Sequence, residues 1–411
     1  MATKPKRARG ALPALAGWGA GLLVMLADTD AGNVVVAAQA GGKWGYRLLP
    51  LVLALAPALF LIQEPAARLG LTTGRGFGQS LRERFGPFWA GLALAGLAVG
   101  VLSTLVTEFT GIVGVAELYG VSRNVALQAG SLALLAVAAS SSYAQVERIA
   151  LAIGLFECAF LYAAWAAAPD LGDMARQMTS TPPRENDFLF LAAAMVGAAF
   201  SPWMIYFHQA AMARRPKNPR QFRLMRWDVA AGAALTQILT GAVLVAAAAF
   251  AASRGRGQVE LSSIGDAGAA IGAALGPDVG RLVFSLGVLG ASLAAAIVAS
   301  LALAWGVAET FGNAPRHGAP PTLKTVAFYA LSVALAAVLV RRSTDLVWLN
   351  LAAQVVNALL FPLIAGLLIL LAARLPEPEH RLGGFRLWLT VATALVVSVI
   401  GCAGAWGLFK S

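Results

Sequence analysis

The chain has 411 residues, of which 59% are hydrophobic and only 12% are charged, and its formal net charge is +11. Soluble globular proteins carry about 25% charged residues, so this composition excludes a water-soluble fold and indicates a membrane-embedded one. The positive charge does not indicate nucleic-acid binding, because the basic residues lie in short segments between apolar runs, as they do in the loops of membrane proteins.

Apolar runs separated by Gly, Pro and charged residues predict eleven membrane spans. A helix needs about 20 apolar residues to cross a hydrocarbon core about 30 Å thick, and each run is close to or above that length. The predicted spans are residues 13–40, 46–68, 87–116, 125–143, 147–168, 188–213, 228–252, 279–311, 323–340, 345–373 and 385–409. We therefore predict a cytoplasmic basic tail at 1–12 and one transmembrane domain at 13–409.

Basic residues are concentrated on one side of the predicted spans. Lys and Arg are enriched in the cytoplasmic segments of membrane proteins, so the distribution places the N-terminus in the cytoplasm, and an odd number of spans then places the C-terminus outside. A cluster after the sixth span contributes most to this orientation: Arg214, Arg215, Lys217, Arg220, Arg223 and Arg226.

The first span contains the densest group of polar residues at membrane depth. Asp28, Asp30 and Asn33 lie within an otherwise apolar run, together with Gly32. Interruption of the helix there would free backbone carbonyls beside a carboxylate and an amide, which is an all-oxygen cation site. The alternative is that these residues only cap a helix end before a loop.

The sixth span contains a second interruption, centred on Ser201-Pro202-Trp203. Proline removes a backbone donor and clashes with the preceding turn, so a simple proline kink is the alternative here. Breaks in spans 1 and 6 are the matched pair expected of two inverted five-helix repeats, with a site at the midplane between them. The repeats would cover about 13–168 and 188–373, and 385–409 would be an extra helix.

Further polar side chains at membrane depth require partners or water, because isolated polar groups in lipid cost several kcal/mol. They are Glu108, Glu117, Glu157, His208, Asp228, Gln237, Gln354 and Asn357. Each of them either supports a site or proton path, or forms a structural pair inside the protein. For Asp228, near the predicted start of span 7, a helix N-terminal role is favoured.

The first span resembles that of the natural resistance-associated macrophage protein (NRAMP) family of transition-metal transporters. Asp30-Ala31-Gly32-Asn33, followed by Gln39-Ala40-Gly41 and Trp44-Gly45-Tyr46-Arg47-Leu48-Leu49, is similar to the family signature of Asp-Pro-Gly-Asn, Gln-Ala-Gly and an aromatic-Gly-Tyr-Lys-Leu-Leu. Pro65-Ala66-Ala67-Arg68-Leu69-Gly70 with Thr73-Gly74 is similar to the end of its second helix. The resemblance implies an all-α membrane protein of the LeuT type, with inverted 5+5 repeats.

The sixth span departs from the family pattern. Family members that prefer manganese and iron have Met-Pro-His there, whereas this chain has Ser201-Pro202-Trp203. Without a sulfur ligand the site would favour hard ions, and Mg²⁺, which gives up its water reluctantly, would suit the widened pocket. The pattern is similar to the NRAMP-related magnesium transporter branch.

The resemblance implies a site for a transported divalent cation, Mg²⁺ or Mn²⁺, with no cofactor. Its predicted members are Asp30, Asn33, the carbonyls of Ala27 and Ala198, Ser201 and Gln354, with Glu108, His208 and Trp203 in a proton path or gate. The family's acidic pair in span 3 is reduced to Glu108, because Gly111 follows three residues later, so we expect uptake without proton coupling. The expected partners are the metal ion and the lipid bilayer of a bacterial inner membrane and not nucleic acid, and the sequence identifies no protein partner.

Three other functions remain as alternatives. The first is a proton-coupled Mn²⁺ or Fe²⁺ transporter, and the second is an organic-solute symporter of the same fold. The third, a membrane-embedded enzyme, is disfavoured, because the sequence has no His-Glu-x-x-His, no nucleotide-binding loop and only three histidines.

Overall fold

A computed structural model describes residues 19–139, 143–181, 183, 185–255, 259–312 and 323–408. The predicted basic tail at 1–12 lies outside the described residues. Within those residues every regular element is a helix. The first half contains α1 (Ala20–Leu26), α2 (Ala31–Trp44), α3 (Leu49–Thr73), α4 (Phe77–Phe85), α5 (Pro87–Leu118), α6 (Arg123–Ala139), α7 (Tyr143–Gly154), α8 (Ala159–Ala166) and α9 (Leu171–Met178).

The second half contains α10 (Asn186–Ala199), α11 (Pro202–Ala213), α12 (Pro219–Ser253), α13 (Ile264–Gly272), α14 (Pro277–Thr310), α15 (Leu323–Arg342), α16 (Leu346–Ala373) and α17 (Gly384–Leu408). Short 3₁₀ segments cover Gly45–Leu48, Leu155–Cys158 and Ala273–Leu275. Among the described residues, eight helical segments are long and apolar enough to cross a membrane. One of them, Ala31–Thr73, joins the end of predicted span 1 to span 2. The number of eleven crossings stays a prediction.

Spans 1 and 6 are both broken, as their sequences predict. The first span divides into α1 and α2 around residues 27–30, and the sixth divides into α10 and α11 around Phe200 and Ser201. The halves lie side by side, since α2 packs on α10 and α1 packs on α11. The two breaks therefore face each other inside the bundle, where α5, α12, α14 and α16 surround them.

The seventh span is longer at its start than the sequence predicts. It begins at Pro219 rather than near 228, and the Asn218 side chain caps it by accepting the Gln221 N–H at 2.8 Å. Arg220, Arg223 and Arg226 consequently lie on a helix and not in a loop. The first turns of α12 are polar, so a prediction based on apolar runs does not include them. An apolar run marks the part of a helix within the membrane and not its full length.

Asp228 does cap a helix N-terminus, but that of another helix. It lies ten residues into α12, so a role at the start of its own span is wrong. Its carboxylate accepts the N–H groups of Gly19, Gly21 and Leu22 at 3.3, 2.8 and 3.2 Å. These are first-turn donors of α1 that have no helical partner, so Asp228 fixes the short helix α1 against α12.

Candidate metal centre

Asp30 lies at the N-terminus of α2, directly after the break in span 1. It has an extended backbone, and its Oδ1 accepts the Asn33 N–H at 2.6 Å and faces the Gln354 amide nitrogen at 3.5 Å. The side chain is buried. This is the N-cap arrangement that short acidic side chains favour, and it holds the carboxylate at the positive end of a helix dipole in the middle of the bundle.

Gly32 allows α16 to approach Asp30 closely. A Cβ atom at this position would overlap the amide nitrogen of Gln354 and approach Asp30 Oδ1. Gly32 has a helical backbone, which any residue can adopt. The reason for a glycine here is therefore the close approach of α16.

Two backbone carbonyls lose their helical donors at the breaks. The Ala27 carbonyl would accept the Ala31 N–H in a continuous helix, but that N–H is directed to the Glu108 carboxylate at 3.3 Å. The Ala198 carbonyl would accept the N–H of residue 202, which is proline and has none. Both carbonyls are thus available to a cation, as the sequence predicts for broken spans.

Asn33 connects the two sides of the first break to α12. Its amide nitrogen donates to the Asp28 carbonyl at 3.2 Å, and its amide oxygen accepts the Thr240 hydroxyl at 3.0 Å. An amide oxygen has two acceptor positions, so one remains for a further partner.

Side chains of α16 join the second break to Asp30. The Asn357 amide donates both to the Ser201 hydroxyl at 3.2 Å and to the Gln354 amide oxygen at 3.1 Å. Because Gln354 also faces Asp30, a chain of amides runs from Ser201 to the carboxylate. Asp30, Asn33, Ser201 and Gln354 therefore belong to one buried polar cluster.

Glu108 of α5 lies against Asp30. The two carboxyl groups are in contact, and the Thr107 hydroxyl donates to the other Glu108 oxygen at 3.2 Å. No Lys or Arg forms an ion pair with either group among the residues that the structure describes. Two facing carboxylates in a dry interior repel each other unless a proton or a cation lies between them.

Trp203 and His208 have partners outside this cluster. The Trp203 indole N–H donates to the Thr104 hydroxyl at 3.1 Å, and His208 Nδ1 lies 3.1 Å from the Gln63 amide oxygen. Both side chains are buried. The described contacts thus place neither residue on Asp30, and their predicted part in a proton path or gate stays a prediction.

A cavity of about 360 Å³ opens at the end of the bundle where α2 ends and α10 and α16 begin. Three carboxylates line it, from Asp187, Glu260 and Asp345, against one cation, Lys43, which pairs with Asp187 at 2.7 Å. Gln39 lies one helical turn before Lys43 in α2. It also lines the cavity and donates to the Leu261 carbonyl. A concave acidic surface concentrates cations from solution.

Most of the ligands that this cluster offers are uncharged. Within the described part of the chain, no group of three or more His, Cys, Asp or Glu side chains is placed to hold a metal ion. Amides, hydroxyls and carbonyls must supply most of the ligands. The sequence indicated no specific role in the site for Thr240 or Asn357. The available signal was helical spacing, since Thr236 and Thr240, and likewise Gln354 and Asn357, lie on one face of their helix.

These features define a polytopic membrane transporter of the LeuT type, with two broken helices meeting at a central polar cluster. Comparisons with solved structures support the fold: a variant of the manganese transporter of Eremococcus coleocola superposes with a TM-score of 0.76 at 17% identity, covering 97% of this chain and 88% of that one. Mhp1, a nucleobase-cation-symport-1 family transporter, superposes with a TM-score of 0.63 at 13% identity, covering 96% of this chain and 93% of Mhp1.

The chain belongs to the natural resistance-associated macrophage protein-like family, whose model matches residues 21–407. The divalent metal cation transporter MntH of Mycobacterium tuberculosis is 27% identical over 308 residues, which is 69% of this chain and 68% of that protein. MntH of Bacillus subtilis is 28% identical over 253 residues, or 59% of each chain. The predicted family, the all-α LeuT-type fold and the assignment as a transporter and not an enzyme are confirmed; the magnesium branch stays a prediction.

Proposed function

We propose that the protein imports divalent cations by alternating access, with Mg²⁺ as its main substrate and Mn²⁺ as a second one. One observation carries the proposal. Oxygen-bearing side chains meet at the facing breaks of two helices, fully buried, and the described contacts of that cluster include no sulfur or imidazole. Such a cluster is suited to a hard cation.

In the proposed site, Asp30 supplies the charged ligand. Asn33 contributes an amide oxygen, and the carbonyls of Ala27 and Ala198 face the ion. Gln354 contributes its amide oxygen after its amide group turns, because its nitrogen faces Asp30 and its oxygen accepts from Asn357. Ser201 replaces the thioether expected from manganese- and iron-selective relatives and leaves room for a metal-bound water. The names of the similar proteins, divalent metal cation transporters and a manganese transporter, support a divalent metal as the class of substrate.

The membrane potential provides the driving force in this proposal. A doubly charged ion gains about 4.6 kcal/mol per 100 mV when it enters an inside-negative cell, twice the value for a single charge. Trp203 occupies the position where the family has a histidine, and its indole N–H donates to the Thr104 hydroxyl. The position after Pro202 therefore offers no proton acceptor. We place the protein in a bacterial inner membrane with the N-terminus in the cytoplasm and the C-terminus outside.

A second candidate is a proton-coupled Mn²⁺ or Fe²⁺ carrier. The contact between the Glu108 and Asp30 carboxyl groups favours it, because a proton on Glu108 would be expelled when a cation binds Asp30. The two candidates share the site and differ in whether proton movement accompanies the metal.

Purified protein in liposomes, with metal indicators and a pH probe inside, tests the proposal. We expect Mg²⁺ and Mn²⁺ entry that increases with an inside-negative potential, without acidification. Mn²⁺ entry with acidification and no Mg²⁺ entry would establish the second candidate. Uptake of a labelled amino acid or osmolyte in the absence of any metal entry would instead point to an organic-solute symporter.

Ser201→Met is expected to shift the site toward softer metals. A thioether at position 201, in the same polar cluster as Asp30, would contribute a soft ligand, so Cd²⁺ should bind about tenfold more tightly, or about 1.4 kcal/mol, while Mg²⁺ binding weakens. Isothermal titration of both metals measures the change. Ser201→Leu is the control, because leucine has a similar size without sulfur; equal effects of the two substitutions would contradict a ligand role for this position.

A further inference from the structure

Two carboxyl groups next to the proposed metal site have no partners. Asp28 is 1% exposed and Glu157 is 0% exposed, and none of their four carboxylate oxygens forms a hydrogen bond. Both lie at irregular backbone, Asp28 in the break between α1 and α2 and Glu157 in the 3₁₀ segment Leu155–Cys158. Buried ionisable groups are normally hydrogen-bonded or paired, so two such groups together call for a ligand.

The surroundings of these two groups supply further oxygens. The Glu157 carboxyl lies near the Thr29 hydroxyl, and the Asp28 carboxyl lies near the Thr236 hydroxyl of α12. The two hydroxyls contact each other at 2.7 Å, which links the four side chains. Carboxylate and hydroxyl oxygens are the ligand types that hard divalent cations such as Mg²⁺ and Mn²⁺ take.

This group of four side chains adjoins the site around Asp30 but has different nearest neighbours. The Asp30 carboxylate is engaged by Asn33, Gln354 and Glu108, whereas the Asp28 and Glu157 carboxyls lie near the threonine pair without a hydrogen bond to it. The family signature begins at the residue corresponding to Asp30, so Asp28 lies before it in the chain.

Charge balance indicates the class of ligand. Asp28, Asp30, Glu108 and Glu157 are all buried, and within the described residues none of them has a Lys or Arg ion-pair partner. One divalent ion at Asp30 and Glu108 offsets two negative charges at most. The remaining pair is neutralised either by protons or by a second divalent cation, and a cation would also engage the four carboxylate oxygens that form no hydrogen bond.

We propose that Asp28, Glu157, Thr29 and Thr236 form a second binding site for a hard divalent cation, adjacent to the site at Asp30. The inference rests on the proposed function and deepens it, because it gives the protein two ions in one pathway. Adjacent sites let one ion promote release of its neighbour through mutual repulsion, which speeds transport through a tight site.

Equilibrium dialysis of the full-length purified protein with radioactive Mn²⁺ counts the sites. We expect two ions per chain in the wild type, one in Glu157→Gln, one in Asp30→Ala and none in the double variant. Glu309→Gln is the matched control. Its carboxylate is also buried but accepts the Gly78 N–H at 3.2 Å, away from both sites, so it should still bind two ions.

The results separate this inference from the proposed function. One ion in the wild type, lost in Asp30→Ala and unchanged in Glu157→Gln, would overturn the second site and leave the proposed function intact. Binding of no ion, or binding that Asp30→Ala leaves unchanged, would overturn the proposed function itself. Thr236→Val, which keeps the side-chain shape and removes one hydroxyl, gives a second test: we expect the second ion to bind at least about tenfold more weakly, and unchanged binding would overturn the site.

Discussion

Asp30→Ala is expected to abolish metal uptake and to weaken Mn²⁺ binding at the central site by more than about 100-fold, or about 2.8 kcal/mol. Asp30 is the residue on which the cluster converges: it caps α2, faces Gln354 and contacts Glu108. Removing the carboxylate takes away the charged ligand and leaves neutral oxygens that do not repay the cost of dehydrating a divalent ion. Liposome flux and titration with Mn²⁺ measure both effects.

Two variants control for loss of folding and for charge alone. Asp278→Ala removes an exposed carboxylate from the first turn of α14 and should leave uptake unchanged. Asp30→Asn keeps an oxygen that caps the Asn33 N–H but removes the charge. This variant should elute as folded protein in size-exclusion chromatography and still fail to bind the metal. Metal uptake by a folded Asp30→Ala protein at the wild-type rate would refute the proposed site.

Gly197→Ala is expected to destabilise the protein by about 1–3 kcal/mol, the usual cost of overpacking a core. A Cβ atom at 197 would overlap the backbone carbonyl of Gln354 and lie 3.1 Å from the Ala358 nitrogen. A backbone carbonyl inside a helix cannot rotate away, so α10 and α16 must separate. That separation would also displace the Gln354 side chain from Asp30, and metal affinity should fall together with stability.

The matched control is Gly366→Ala, a helical glycine in α16, the helix against which Gly197 packs. Nothing lies within 4 Å of the added Cβ there. Alanine is a better helix former than glycine by about 1 kcal/mol, so this variant should be as stable as the wild type or more so. Thermal unfolding followed by fluorescence of the ten tryptophans measures both. Equal melting temperatures of the two variants would show that α10 and α16 do not pack as closely at Gly197 as described.

The breaks in spans 1 and 6 could be predicted because their causes are local. Pro202 withholds a hydrogen bond from its own helix whatever surrounds it, and Asp30 caps the residues that follow it. The lengths of the helices could be predicted less well. The start of α12 at Pro219 is polar, and the hydropathy criterion does not detect a helix that extends beyond the apolar core.

The partners of the polar residues could not be predicted, because they are distant in sequence. Gln354 meets Asp30 across 324 residues, and Thr240 meets Asn33 across 207. Asp228 shows the same limit: its chemistry as a helix cap could be inferred, but the helix that it caps is about 200 residues away. No periodicity within a single span encodes such a pairing.

The sequence by itself determined that this is a membrane protein, where its helices break, its family and which oxygen ligands are available, since composition, proline and capping act over a few residues. The tertiary structure alone decided which of those ligands meet. It brings Ser201 and Asp30 together through Asn357 and Gln354, and it leaves Asp28 and Glu157 facing a threonine pair without partners. The reason is that a cation site is a convergence of side chains from separate helices, and only the packing of those helices brings them to one point.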